Sequence, residues 1–255
     1  MRRAALLLLT VGLLLVGLRV SSTTRVTPYD LASRSVEENA AMGRPEGLEP
    51  VKVGSLSALM RKPVRGHAWL LYWAGNTSTY FKEATATIGA LQLPPEIGVL
   101  VVAPPGYDSE GHPSPQELER DAVKAREWLR REQGAERIVT GGFSMGMYSA
   151  LVAAKQDVAA TFVMGTAKTF DANDASPLIR IVLSDRYQVR AAPPKVPALV
   201  IQGECDFPDQ GRQVAAWLGA RLVLIPGIGH VETQRHPLAI LEARAFIEQA
   251  LVPGS

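Results

Sequence analysis

The sequence predicts an α/β fold, a mostly parallel sheet covered by helices on both faces. Its 255 residues suffice for one large domain. Short runs that are apolar at nearly every position, bounded by Gly or Pro, recur along the chain. Such runs suit strands buried on both faces. Segments of helical spacing separate them, and alternating strands and helices build a parallel sheet.

The N-terminus, "MRRAALLLLTVGLLLVGLRVSS", has Arg2 and Arg3, an apolar run from Ala4 to Leu18, then small polar residues. That is the layout of a secretory signal, and the run is short for a comfortable bilayer span. Two readings stand for residues 1–22: a signal peptide cleaved after Ser22, or a signal anchor with Arg19 reaching back to the interface. Both place the folded part outside the cytoplasm, as a periplasmic, secreted or membrane-anchored protein. Residues 23–50 are polar and read as a tether or irregular lead-in. Residues 51–255 form the domain, without internal repeat or second unit.

Within it the strand runs are "HAWLLYWAG" (His67–Gly75), "GVLVVAPP" (Gly98–Pro105), "RIVTGGFS" (Arg137–Ser144), "ATFVMGT" (Ala160–Thr166), "PALVIQGE" (Pro197–Glu204) and "RLVLIPG" (Arg221–Gly227). The clearest helix follows Ser114. Glu117 completes a capping box with it, and Pro115 suits the first helical position. Leu118, Ala122, Ala125 and Leu129 share one face, Val123 and Trp128 flank it, and Gly134 is a stop signal. Further helices are expected at Tyr80–Leu91, Met145–Lys155, Gln210–Gly219 and Pro237–Leu251. Thr166 to Val196 leaves room for a short lid region of a helix or two.

Composition excludes several classes. Hydrophobic residues make up 47% and charged ones 20%, with a formal net charge of +2. Lys and Arg are scattered, so no nucleic-acid surface is expected. The single cysteine, Cys205, permits no intrachain disulfide. It sits beside a carboxylate, which does not activate a thiol, and is read as packing. No metal-ligand cluster is visible, and no metal or cofactor is expected.

The chemistry centres on "IVTGGFSMGMYSALVAA", Ile138 to Ala154. Gly142-Phe143-Ser144-Met145-Gly146 matches G-x-S-x-G at the junction of a strand run and a helical run. There the glycines permit a sharp turn that lifts Ser144 out of the backbone at the sheet edge. The helix N-terminus behind it favours negative charge. A serine hydroxyl needs a base, and the base an orienting carboxylate. Of the 4 histidines, His230 closes "LIPGIGH" after the last strand run and can reach over the sheet edge. His67 begins a strand, at the wrong end; His112 sits in the loop "SEGHPSP"; His236 begins the last helix. For the carboxylate, "PALVIQGECDF" offers Asp206 and, less well placed, Glu204, while Asp171 follows the preceding strand as the runner-up. An oxyanion hole would take the Met145 N–H and, from "LLYWAGNTS", the Asn76 N–H, with Gly75 allowing close backbone approach.

Together these residues resemble the alpha/beta-hydrolase superfamily, in which the triad runs Ser, Asp, His along the chain. Within it the chain resembles small membrane-tethered serine hydrolases with HGN, GYG-x-SEG and G-x-S-x-G-G motifs. Here these stand as "AGN" (Ala74–Asn76), "GYDSEGHP" (Gly106–Pro113) and "GFSMGM" (Gly142–Met147). The resemblance covers His67 to Leu251. It implies Ser144 as nucleophile, Asp206 as acid, His230 as base, and Met145 and Asn76 as oxyanion donors. The implied activity is hydrolysis of carboxylic esters or thioesters; an acyltransferase or peptidase on the same scaffold, or a non-catalytic binding module, are the alternatives. The partners implied are a small acyl ester or lipid-like substrate and a membrane surface; nothing in the sequence speaks to oligomeric state. The chain departs from the pattern at Ala74, where the family has histidine, at Ala103, where it has an acid, and at Met147, where it has glycine. The last is expected either to narrow the helix–strand contact or to line the pocket.

Overall fold

A computed structural model describes residues 47–77, 80–105, 107, 114–166 and 193–252. Eight strands form one sheet: β1 (Glu49–Val53), β2 (Leu56–Arg61), β3 (Ala68–Trp73), β4 (Ile97–Val102), β5 (Arg137–Ser144), β6 (Ala160–Thr166), β7 (Ala198–Gly203) and β8 (Arg221–Ile225). The helices among the described residues are α1 (Tyr80–Leu91), α2 (Pro115–Glu132), α3 (Gly146–Ala153), α4 (Pro208–Leu218), α5 (His230–Thr233) and α6 (Pro237–Leu251). The signal segment, most of the tether, His112, Asp171 and most of the lid region lie outside the described residues.

The strand order is β1-β2-β4-β3-β5-β6-β7-β8. From β4 to β8 every pairing is parallel, while β1 and β2 form an antiparallel hairpin added to β4. Each apolar run of the sequence became a strand, and β4, β6 and β7 are buried at every position. The hairpin was not anticipated. Its first strand begins at Glu49, inside the stretch read as tether, and edge position leaves most of that strand exposed or half-exposed. Few apolar residues are needed there, so no apolar run announces it.

Helices close both faces. Met147 and Leu151 of α3 share an apolar cluster with Ala215 and Leu218 of α4, Val163 of β6 and Val200 of β7. Their strand neighbours Phe162, Met164, Leu199 and Ile201 point the other way by the strand's two-residue period. There α6 packs with Ala239, Ala243, Ile247 and Leu251 inward, beside α1. The helix α2 starts with the expected capping box, Ser114 Oγ accepting from the Glu117 N–H, and buries Leu118, Ala122, Ala125 and Leu129. It also buries Arg126, whose guanidinium donates to the carbonyls of Ala153 and Gln156 at 3.3 and 3.2 Å. A cation at that helix end satisfies orphan carbonyls and complements the dipole, so α2 pins the far end of α3.

The parallel strands align their C-terminal ends along one sheet edge. The chain leaves β3 to form β4 on one side, then crosses to β5 on the other, so β3 and β5 flank a topological switch point. Crevices beyond strand C-termini at such a point are where open α/β sheets bind ligands.

Candidate active site

The turn between β5 and α3 carries Ser144 with a φ of 51°, a left-handed conformation that costs a non-glycine residue energy. The register with β6 shifts between Phe143 and Ser144 as the strand turns. The glycines on either side make room. A methyl on Gly142 would overlap the Gly146 carbonyl, and one on Gly146 would overlap the carbonyls of Trp73 and Ala74. The strand, the turn and the helix therefore touch backbone to backbone.

His230 opens α5, just past β8, and its side chain is 35% exposed. Its Nε2 lies 2.8 Å from Ser144 Oγ and its Nδ1 lies 2.7 Å from Asp206 Oδ2. A carboxylate can only accept, so Nδ1 carries the proton and the Nε2 lone pair faces the serine hydroxyl. Asp206, just past β7, is buried, with a side chain 1% exposed. Glu204 is exposed and takes no part in this chain. Cys205 was expected to pack inside; instead it is exposed. The turn after β7 has only one inward position there, and Asp206 takes it, while the Cys205 N–H is held by the Ile228 carbonyl at 3.0 Å.

The other described histidines stand elsewhere. His67 is exposed just before β3, at the opposite sheet edge. His236 caps α6, its Nδ1 accepting from the Leu238 N–H at 3.3 Å.

The loop after β3 leans on the serine turn. A methyl on Gly75 would sit 3.0 Å from the Phe143 ring and 3.1 Å from Ser144 Cβ. Two tyrosines hold this loop, and sequence reasoning gave neither of them a role. Tyr80 Oη accepts from the Ala74 N–H at 2.9 Å and donates to the Val102 carbonyl at 2.7 Å. Burial pushes the Tyr80 hydroxyl's pKa well above the usual phenol range, so it stays a donor. Tyr107 Oη donates to Asn76 Oδ1, and the two rings pack at 5.3 Å. Met145, after the serine, opens α3 with helical φ and is buried. Met147 is buried in the α3–α4 cluster with Val163 and Val200, at the helix–strand contact.

Phe143, inside the motif, lies beneath His230 with ring centroids 5.0 Å apart. Gln202 was also unforeseen. It is fully buried at the end of β7 and bonds Asp206 on one side and Thr166 on the other. Its one sequence signal is an amide inside an otherwise apolar run.

Among the described residues, no group of three or more His, Cys, Asp or Glu could hold a metal ion. Among them too, no helix is long and apolar enough to cross a membrane. The arrangement offers a hydroxyl, an imidazole nitrogen on it and a buried carboxylate on the imidazole's other nitrogen.

Solved structures similar to this chain share its architecture. A dienelactone hydrolase from Anabaena variabilis is 21% identical with a TM-score of 0.59, covering 82% of this chain and 97% of its own. An esterase from the bacterial hormone-sensitive lipase family is 16% identical with a TM-score of 0.61, covering 93% and 97%. An alpha-beta serine hydrolase homologue from Coxiella burnetii is 16% identical with a TM-score of 0.56, covering 83% and 100%. No protein-family model and no curated protein matches the sequence. The chain has the alpha/beta-hydrolase fold.

Proposed function

We propose that the protein is a serine hydrolase of carboxylic esters or thioesters. The observation that carries the reading is the unbroken chain from Ser144 Oγ through both nitrogens of His230 to Asp206, set on a strained turn. Fold neighbours described as esterases and hydrolases support it.

In this mechanism Ser144 Oγ attacks the acyl carbon while His230 Nε2 takes its proton. Asp206 holds the imidazole by Nδ1 and stabilises the imidazolium. The carbonyl oxygen becomes an oxyanion, bound by the N–H groups of Met145 and Asn76. On collapse the imidazolium gives its proton to the leaving alcohol or thiol, and Ser144 keeps the acyl group. Water then attacks that ester, again losing its proton to His230, and the acid leaves as Ser144 recovers the proton. Every step uses groups of the chain and water. The N-terminal apolar run supports an exported enzyme, cleaved or anchored, and membrane proximity would favour lipid-like acyl substrates.

The test is labelling of the full chain with a fluorophosphonate probe, beside Ser144→Ala and His230→Ala, followed by ester, thioester and aminoacyl-amide substrates. Labelling of the parent alone, with kcat/KM falling roughly 10⁴- to 10⁶-fold in both variants, is expected. Equal labelling of all three would move the nucleophile elsewhere. A folded parent that takes no probe would favour a non-catalytic binding module.

A further inference from the structure

We infer that Gln202 is a positioning residue for the acid, converting a hydrogen-bond donor at the end of β6 into a donor aimed at Asp206. The inference rests on the proposed roles of Asp206 and His230.

Gln202 is 0% exposed, the next-to-last residue of β7. Its Oε1 accepts from the Thr166 N–H at 2.7 Å and from Thr166 Oγ1 at 2.6 Å. Its Nε2 donates to Asp206 Oδ2 at 2.8 Å and also to the Asp206 carbonyl. The amide cannot be turned over. A backbone N–H can only donate, so it needs the oxygen; a carboxylate and a carbonyl can only accept, so they need the nitrogen. No other uncharged side chain of this size presents both ends. Glutamate would set a second carboxylate against Asp206, and a hydrocarbon would strand buried polar groups on both sides.

The two donors on Asp206 Oδ2 are His230 Nδ1 and Gln202 Nε2. Asp206 Oδ1 is buried without a hydrogen-bond partner among the described residues. Gln202 therefore selects which oxygen faces the histidine and fixes the carboxylate's rotation. Thr166 follows Gly165, whose left-handed backbone (φ 53°) packs beside Phe143 and His230; a methyl there would stand 2.6 Å from the Phe143 ring and 3.4 Å from His230 Cε1. One amide thus ties the backbone next to Phe143 and His230 to the carboxylate on His230.

The experiment compares the full chain with Gln202→Met, Gln202→Glu and Thr166→Val, reading kcat and KM on the preferred ester and the one-dimensional proton spectrum. The His230 Nδ1 proton is assigned as the low-field resonance absent from His230→Gln. Gln202→Met should lower kcat on the order of 10- to 100-fold with KM within about twofold, the scale of a small misplacement. Thr166→Val, which keeps the backbone bond, should lower it less and remains informative if the Met variant does not fold. Gln202→Glu can donate only when protonated, so its activity relative to the parent should recover as pH falls, while the Met variant's stays flat. The low-field resonance should shift or broaden in the Gln202 variants. An unmoved resonance with kcat within about twofold in a folded Met variant would overturn the inference. A parent that hydrolyses nothing but whose resonance responds to Gln202→Met would sink the functional reading and keep the positioning role.

Discussion

The proposed nucleophile, Ser144, and the proposed acid, Asp206, leave the same sheet edge by opposite means. At the end of β5, Ser144 is set by its backbone: a left-handed residue between two glycines that let strand, turn and helix touch. At the end of β7, Asp206 is set by a side chain, Gln202, bonded to donors and acceptors in a buried site. The first device depends on the absence of atoms, the second on four hydrogen bonds to one amide. The difference shows in how each would fail. Filling the space at β5 forces the backbone apart and should act on folding. Emptying the polar site at β7 leaves the fold room to survive and should act on the rate.

The largest effect expected comes from breaking the first device. Gly146→Ala would place a methyl inside the carbonyl oxygens of Trp73 and Ala74, backbone atoms that cannot rotate away. Overpacking usually costs about 1–3 kcal/mol and occasionally more; a backbone obstacle puts this variant at or above about 3 kcal/mol. Urea denaturation would measure it, with an unchanged slope and an earlier midpoint. A fully stable, inactive Gly146→Ala protein would mean the turn opens without unfolding, and the contrast between the two ends would collapse.

The same difference explains what the sequence disclosed. A backbone device leaves a mark in one place: Gly142, Ser144 and Gly146 sit within one short stretch, between a strand run and a helical run. The apolar runs for β3 to β7 were equally local, because strands buried on both faces must be apolar throughout; β8, at the sheet edge, carries an apolar run although it is only partly buried. His230 and Asp206 could be singled out because each follows a strand end, but their distances come only from the structure. Gln202 was hidden because its meaning lies in Thr166, another strand's residue, 36 positions away. Tyr80 and Tyr107 were hidden likewise, since a tyrosine at a helix start or in a loop says nothing of which carbonyl it meets. The β1–β2 hairpin escaped for a different reason: β1, at the sheet edge, needs little apolar surface, and the β2 run is broken by Ser57 and ended by Arg61. Cys205, read as packing, is exposed, and its neighbour Asp206 takes the buried position.

The loop after β3 lies between the two devices and sharpens the comparison. Gly75 packs against the serine turn as a backbone contact, while Tyr107 holds the Asn76 side chain as a polar one. Tyr107→Phe keeps the ring contact with Tyr80 and removes only the hydroxyl. The proposed mechanism makes the Asn76 N–H an oxyanion donor; losing a whole donor costs on the order of 10²- to 10³-fold in kcat, so loosening this one should cost less, about 10-fold. KM should stay within about twofold, since the oxyanion forms after binding. Steady-state kinetics on an ester would read both. An unchanged kcat would mean the loop needs only its packing against Gly75.

The smallest effect tests whether glycine matters by position or by identity. Gly89 lies in α1, near its C-terminal end, exposed, with nothing near enough to meet an added methyl. A helical glycine costs about 0.5–1 kcal/mol against alanine because the unfolded chain has more freedom to lose. Gly89→Ala should therefore raise stability by about that much and leave kcat unchanged, with a later urea midpoint as the readout. The same substitution thus has opposite sign at Gly146 and Gly89, and the sign is set by what the methyl would touch. If Gly89→Ala also destabilises, glycine in this chain is serving helix ends in general, and the clash at Gly146 loses its claim to be specific to the nucleophile turn.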